Sequence, residues 1–433
     1  MPNEEHTARP PYPRLGECYR LLAKALDTKA SNRHVDQLAR QGDFDWQLLA
    51  NLRDELLETP LSSRSNAQFA RFVGAAVETL QENYVRLIKT VALDALTREQ
   101  ALPVLAEHFL APYLASFLLQ MHKAIPSPPL AQLLDEPQHP VEVTLAWLER
   151  ELGLAPHQLG QRLYPDASGE NKNGREALRR WRQGHQLPDL QSIALLHAKL
   201  QEQLKPQPLL LRAFTEWLIV ARALVVVESA ASGYLRLRHR VLHQVLSDIP
   251  IIDIGLILST LNIQAAKPKR ELVESGLLLM EQLKRTTAKS PGDQARTRDA
   301  LDQFRRLLSQ HDPDGISTYY LEWLEGRWHV LAGQLATALL HFEKAADLAL
   351  YRSGQTQKDI LREALLLAAY LGSRPVYKRL KHRALAMDLS YLPGWEESVA
   401  TAHELTLIRD NFTVKFPERG RFVDPVPEFG TRP

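Results

Sequence analysis

Apolar residues return at three- and four-residue intervals along nearly the whole chain, as in "AQFARFVGAAVETLQENYVRLIKTVALDAL", while alternating apolar–polar runs bounded by hairpin turns are almost absent. Such a pattern buries its apolar groups as one face of helices packed on one another, so it predicts an all-α protein with strand content near zero. The β-branched stretches at 225–227 and "IPIIDIGLIL" (249–258) are read as helix or the start of one. With 433 residues the chain exceeds what one core usually serves. Pro- and polar-rich breaks at "AIPSPPLAQLLDEPQHP" (124–140), "KPQPLL" (205–210), "AKPKR" (266–270) and "HDPDG" (311–315) divide it into helical blocks. The division predicted is an N-terminal helical domain over 1–135, further helical domains over 136–206, 207–310 and 311–412, and an irregular tail over 413–433.

Several function classes are excluded early. The lone Cys18 rules out an intramolecular disulfide and a cysteine-built zinc site, and fits a reducing compartment. The start, "MPNEEHTARPPYPR", has acids and prolines where a secretory signal needs a basic start and an apolar core. "VLAEHFLAPYLASFLLQM" (104–121) is interrupted by Glu107, His108 and Pro112, and "WLIVARALVVV" (217–227) is short and holds Arg222. Both read as buried helices, so no membrane association and a cytoplasmic location are expected. The 15 histidines form no HExxH, and GxSxG and a phosphate-binding glycine loop are also missing, so neither enzyme activity, cofactor nor metal is expected. His239 and His243 sit four apart, but Arg236, Arg238 and Arg240 around them would repel a cation, and "RLRHR" (236–240) reads as a solvated helix face. Lys and Arg total 53 against 51 Asp and Glu, so any site for nucleic acid must be local.

The most distinctive local stretch is "NKNGREALRRWRQG" (171–184). Asn173 as N-cap with Glu176 three residues on makes a capping-box pattern, and Gly184 can close the helix in the left-handed region. At 100° per residue Ala177, Leu178 and Trp181 share an apolar face, whereas Arg175, Arg179 and Arg182 share another and are expected to form one exposed stripe. Arg180 lies outside that stripe and reads as a phosphate contact or a solvated residue. Over 162–185 six basic residues face three acidic ones, a patch and not a polybasic arm. The bland reading is a helix surfaced with arginine for solubility or for an acidic protein partner.

The surroundings of this helix carry a resemblance. "LGLAPHQLGQRL", "LRRWRQGHQLPDL" and "SIALLHAKL" follow one another as in the Cro/repressor-type (XRE) helix-turn-helix domain, which the segment 141–203 resembles. The spacing departs from that family by about eight residues, because "PDASGENK" lengthens the motif turn into a loop. The resemblance implies transcription regulation through duplex DNA, with Lys172, Asn173, Arg175, Arg179, Arg180 and Arg182 as the candidate contacts; arginine suits both phosphate and the guanine edge.

In "YYLEWLEGRWHVLAGQLATALLHFEKAADLAL" (319–350), Gly326, Gly333, Ala338, Phe342 and Ala345 fall at the spacings of a tetratricopeptide (TPR) repeat, which 317–388 resembles. The next unit keeps Gly372 and Ala384 but puts Tyr377 where Ala338 predicts a small side chain. Small residues let paired helices approach, and Phe342 is expected to fill the gap between repeats. The resemblance implies a short α-solenoid that meets a peptide or protein, or serves self-association. Two readings therefore stand: a DNA-binding regulator with a dimerising or signal-receiving repeat segment, and a non-enzymatic scaffold of a multi-protein system, such as phage defence, that uses the helix-turn-helix shape for protein contacts.

Overall fold

Helical periodicity is realised throughout a computed structural model that describes residues 9–28, 46–165, 169–247, 252–265, 270–285 and 291–386, with Val35 and Leu38. Among the described residues helices are the only regular elements, and Ala92 and Ser353 form an isolated antiparallel bridge. The all-α expectation holds, including residues 225–227, which lie inside a 24-residue helix, and the run that becomes a helix at Ile254. The tail over 413–433, the repeat segment beyond 386 and residues 249–251 lie outside the described residues.

In chain order the helices are α1 (Leu15–Leu26), α2 (Trp46–Arg53), α3 (Thr59–Arg64), α4 (Ala67–Thr90), α5 (Arg98–Leu105), α6 (Ala111–Ala124) and α7 (Leu130–Leu134). Then come α8 (Pro140–Glu151), α9 (Leu159–Leu163), α10 (Gly169–Arg182), α11 (Leu190–Gln203), α12 (Pro208–Ala231) and α13 (Leu237–Leu246). The last are α14 (Ile254–Ala265), α15 (Arg270–Arg285), α16 (Pro291–His311), α17 (Thr318–Leu331), α18 (Leu335–Ala349), α19 (Thr356–Tyr370) and α20 (Arg374–Ala386).

Two wide π-turns, Asp54–Glu58 and Ala106–Leu110, join α2 to α3 and α5 to α6 without breaking the run. Each is closed by the residue just before a proline: Thr59 N–H donates to Asp54 O and Ala111 N–H to Ala106 O, ahead of Pro60 and Pro112. A proline ring has no N–H to give and crowds the carbonyl four residues back, and the wider turn relieves that crowding while the helix continues.

The continuous run lets one helix serve two cores. The stretch Arg98–Ala124 is long and apolar enough to cross a membrane. Its Leu105, Phe109 and Tyr113 enter a first core with α1 and α14 to α20, while Ala111, Ala115, Leu118 and Met121 enter a second core built from α3 and α6 to α13. α4, about 36 Å long at 1.5 Å per residue, does the same: Phe69, Ala70 and Val73 pack in the second core and Tyr84, Val85, Leu87 and Ile88 in the first. The cores do not follow the order of the Pro-rich breaks, because the N-terminal helices are shared between them.

Chain segments distant in sequence close the first core. Tyr12 is wholly buried, its N–H donates to Tyr351 O at 3.3 Å and its hydroxyl to Val91 O at 2.9 Å. Leu93 N–H donates to Arg352 O at 2.8 Å, and Gln357 Nε2 to Ile88 O at 3.0 Å. Tyr319 and Ser317 both donate to Asp94, the latter to its carbonyl at 3.2 Å. Gly354 permits this seam: its φ is +54°, and a Cβ there would lie 2.5 Å from Ala92 N and 2.7 Å from Val91 C.

At the C-terminal end helices pack on their sequence neighbours in hairpins. Gly333 (φ +74°) turns α17 into α18, and Gly372 (φ +68°) turns α19 into α20. Ala338 and Ala345 are fully buried. Phe342 is fully buried and packs within the hairpin on Gly326, where a Cβ would sit 2.5 Å from its ring. Tyr377 stands at the position equivalent to Ala338 and is buried in the first core, so the second hairpin accepts a large side chain there. Replacing Gly326 with alanine tests this packing by sign. Helix propensity alone would add about 1 kcal/mol, whereas overpacking against a ring enclosed on all sides costs about 1–3 kcal/mol. A net fall in thermal unfolding temperature is expected, and a rise would show that the two helices are not in close contact at this point.

Candidate nucleic-acid interface

α10 is held from three sides. Leu178 and Trp181 point into the second core and are buried, as their spacing predicts. Tyr164 lies across Gly174, where any Cβ would run into the ring, and Lys199 Nζ sits 4.1 Å from the centre of the same ring. Gly184, at φ +71°, ends the helix with its N–H donating to Trp181 O at 3.2 Å, while His185 N–H donates to Arg180 O at 3.0 Å. α11 then starts at Leu190 with Asp189 as its cap, accepting from Ser192 N–H at 2.6 Å, and Pro188 lies just before the cap.

Two sequence expectations need correction. The helix begins at Gly169, not at Asn173, so Asn173 is an exposed residue of the second turn and the Asn173–Glu176 capping box is not formed. Glu176 is spent on arginine instead. The residues "GENK" of the expected loop are helical, and residues 166–168 lie outside the described residues.

Nor do Arg175, Arg179 and Arg182 share one exposed stripe. Arg175 folds back to donate from Nε to Tyr164 O at 2.5 Å and from Nη2 to Pro165 O at 2.6 Å, binding the end of α9. Arg182, with its side chain 11% exposed, donates from Nη1 to both Glu142 oxygens at 2.9 Å and from Nη2 to Glu149 Oε1 at 2.7 Å. The reason is reach: a guanidinium on a long stem finds carbonyls and carboxylates brought close by tertiary folding, which helical-wheel geometry cannot show. Glu149, only 1% exposed, also accepts from His157 N–H at 3.0 Å and Leu159 N–H at 2.9 Å. No sequence signal marked Glu142 or Glu149 as partners.

What remains outward is a different face. Lys172, Asn173, Arg179, Arg180 and Gln183 are exposed, and with Glu176 they fall at helical spacing opposite Leu178 and Trp181. Arg179 bonds both Glu176 oxygens at 2.8 and 2.9 Å and Arg180 bonds Oε1 at 3.1 Å. Hydrogen bonds from Arg179 and then Arg180, with their positive charge, pull the Glu176 carboxyl down to about 2. His185 and Gln186 extend the exposed polar surface past the helix end.

The other basic run is largely structural. Arg238 donates to the carbonyls of Asp135 at 3.1 Å, Glu136 at 3.1 Å and Gln138 at 2.8 Å, closing the loop after α7, so "RLRHR" is only in part the solvated face expected. Among the described residues no group of three or more His, Cys, Asp or Glu is placed to hold a metal ion. The chain matches no protein-family model, no curated protein and no solved structure.

Proposed function

We propose that this chain is a DNA-binding regulator without enzymatic activity, in which the outward face of α10 meets duplex DNA. The observation that carries the reading is a division of labour along one helix. Arg175 and Arg182 are consumed in holding the helix, and Lys172, Asn173, Arg179 and Arg180 are left exposed on its outer side. The order of short helix α9, connecting segment, α10, glycine cap and α11 supports the XRE-like reading of 141–203. The hairpins α17–α18 and α19–α20, with their Gly326–Phe342 contact, support a TPR-like segment that dimerises or receives a signal.

The scaffold reading has one observation in its favour: the hydrogen bonds of Arg175 to backbone carbonyls and the ion pairs of Arg182 leave a smaller basic face than a three-arginine stripe would give, and Glu176 lies within it. A charge balance that small suits a protein partner as well. The test is a mobility shift of duplex fragments at low salt with the Lys172, Arg179 and Arg180 triple alanine variant. These side chains are exposed, so folding is retained and the shift is lost. An unchanged shift in that variant would sink the DNA reading of this face.

A further inference from the structure

We infer that Glu149 is the positioning residue of α10: with Arg182 and Glu142 it fixes the tilt at which the helix shows its outer face. The inference rests on the reading of that face as a DNA contact. Glu149 and Glu142 are seven residues apart on α8, two helical turns, so both carboxylates stand on the same side and one guanidinium spans them. Glu149 joins three elements. It lies on α8, accepts the amides of His157 and Leu159 at the start of α9, and takes Nη2 of Arg182 from the last turn of α10. The backbone between α9 and α10 does not close as a two- or three-residue turn, since Leu163 and Gly169 are six positions apart. The helix angle is therefore set through side chains: a donor–acceptor lock at the C-terminal end of α10 and Arg175 on the Tyr164 and Pro165 carbonyls nearer its start. Arg182 is one turn from Arg179 and two residues from Arg180, so releasing the lock moves those side chains directly.

Glutamine at this position separates position from bulk. Glu149 Oε1 takes Leu159 N–H and Arg182, while Oε2 takes His157 N–H. An amide has one oxygen only, and its NH2 must then face at least one of these donors. Shape and helix propensity are nearly kept, and the lock is broken.

The experiment compares the full-length wild type with Glu149→Gln and Arg182→Lys by hydrogen exchange and by anisotropy with a labelled 20-base-pair duplex across a salt series. Expected in Glu149→Gln are faster exchange at His157, Leu159 and along α10, unchanged overall helicity, and duplex affinity weaker by about tenfold. The salt slope stays that of the wild type, because Lys172, Arg179 and Arg180 are all present; a loss of phosphate contacts would flatten it. Arg182→Lys keeps the charge but cannot bridge both carboxylates in fork geometry, and falls between the two. It serves equally if Glu149→Gln does not fold. Wild-type affinity in both variants alongside faster exchange would overturn the positioning role, and unchanged exchange would overturn the lock itself. Should the wild type bind no duplex, the function reading fails separately. The lock is then decided by exchange alone: faster exchange confined to 157–182 upholds it, and wild-type protection overturns it.

Discussion

A Gly354→Val chain is expected to lose the seam that ties the N-terminal helices to the C-terminal hairpins. Two costs add at one residue. Backbone at φ +54° is poorly tolerated by a β-branched side chain, and the new Cβ would meet the main chain of Ala92 and Val91 at 2.5–2.7 Å, where no side-chain rotation gives relief. Together they amount to about 2–5 kcal/mol. The loss should appear as faster hydrogen exchange at Leu93, whose N–H donates to Arg352 O across the seam, and as a lower unfolding midpoint. Exchange at Leu93 matching the wild type would show that the seam does not depend on the glycine.

The second large effect is expected at the buried pair of Arg327 and Glu363, which links α17 to α19. Both side chains are under a tenth exposed, Arg327 Nε donates to Glu363 Oε2 at 3.0 Å, and Trp323 Nε1 donates to the same oxygen at 2.8 Å. Burial pushes the Glu363 carboxyl up, against the attraction of Arg327. Glu363→Leu removes the carboxylate from a guanidinium taken out of water, and a loss of about 3–5 kcal/mol follows. The double variant Arg327→Met, Glu363→Leu should recover much of it, since the desolvation cost of both charges disappears with them. Chemical denaturation of the wild type, Arg327→Met, Glu363→Leu and the double variant closes the cycle. A double variant no more stable than Glu363→Leu alone would mean that the ion pair itself, and not the cost of breaking it, carries the stability.

How much of this was legible in the sequence depends on the distance over which each feature is determined. Helix class, the left-handed cap at Gly184, and the inward Leu178 and Trp181 are set within one or two turns of chain, and the local sequence shows them. The fates of Arg175 and Arg182 are set by groups 10–11 and 33–40 residues away. A helical wheel places their Cβ atoms correctly but says nothing about carbonyls at the end of α9 or carboxylates on α8. The shared use of α4 and of Arg98–Ala124 by two cores was hidden for the same reason: an amphipathic pattern records that a face is buried, not against what. The start of α10 was misplaced because "GENKNG" favours a cap by local preference, yet Tyr164 packs on Gly174 and the helix extends back to Gly169. Tertiary contact overrides a weak local signal at that point.

The central claim, that the outer face of α10 carries duplex DNA, is tested most directly by the salt dependence of binding. Association constants for a labelled genomic duplex, measured by anisotropy from low to physiological salt, should fall steeply for the wild type. The variant with alanine at Lys172, Arg179 and Arg180 should bind more weakly, with a log–log slope flatter by about 2–3 units, one for each phosphate contact removed. The same slope and affinity in both proteins, or no binding by the wild type at the lowest salt, would contradict the claim and favour a scaffold that meets protein through this helix.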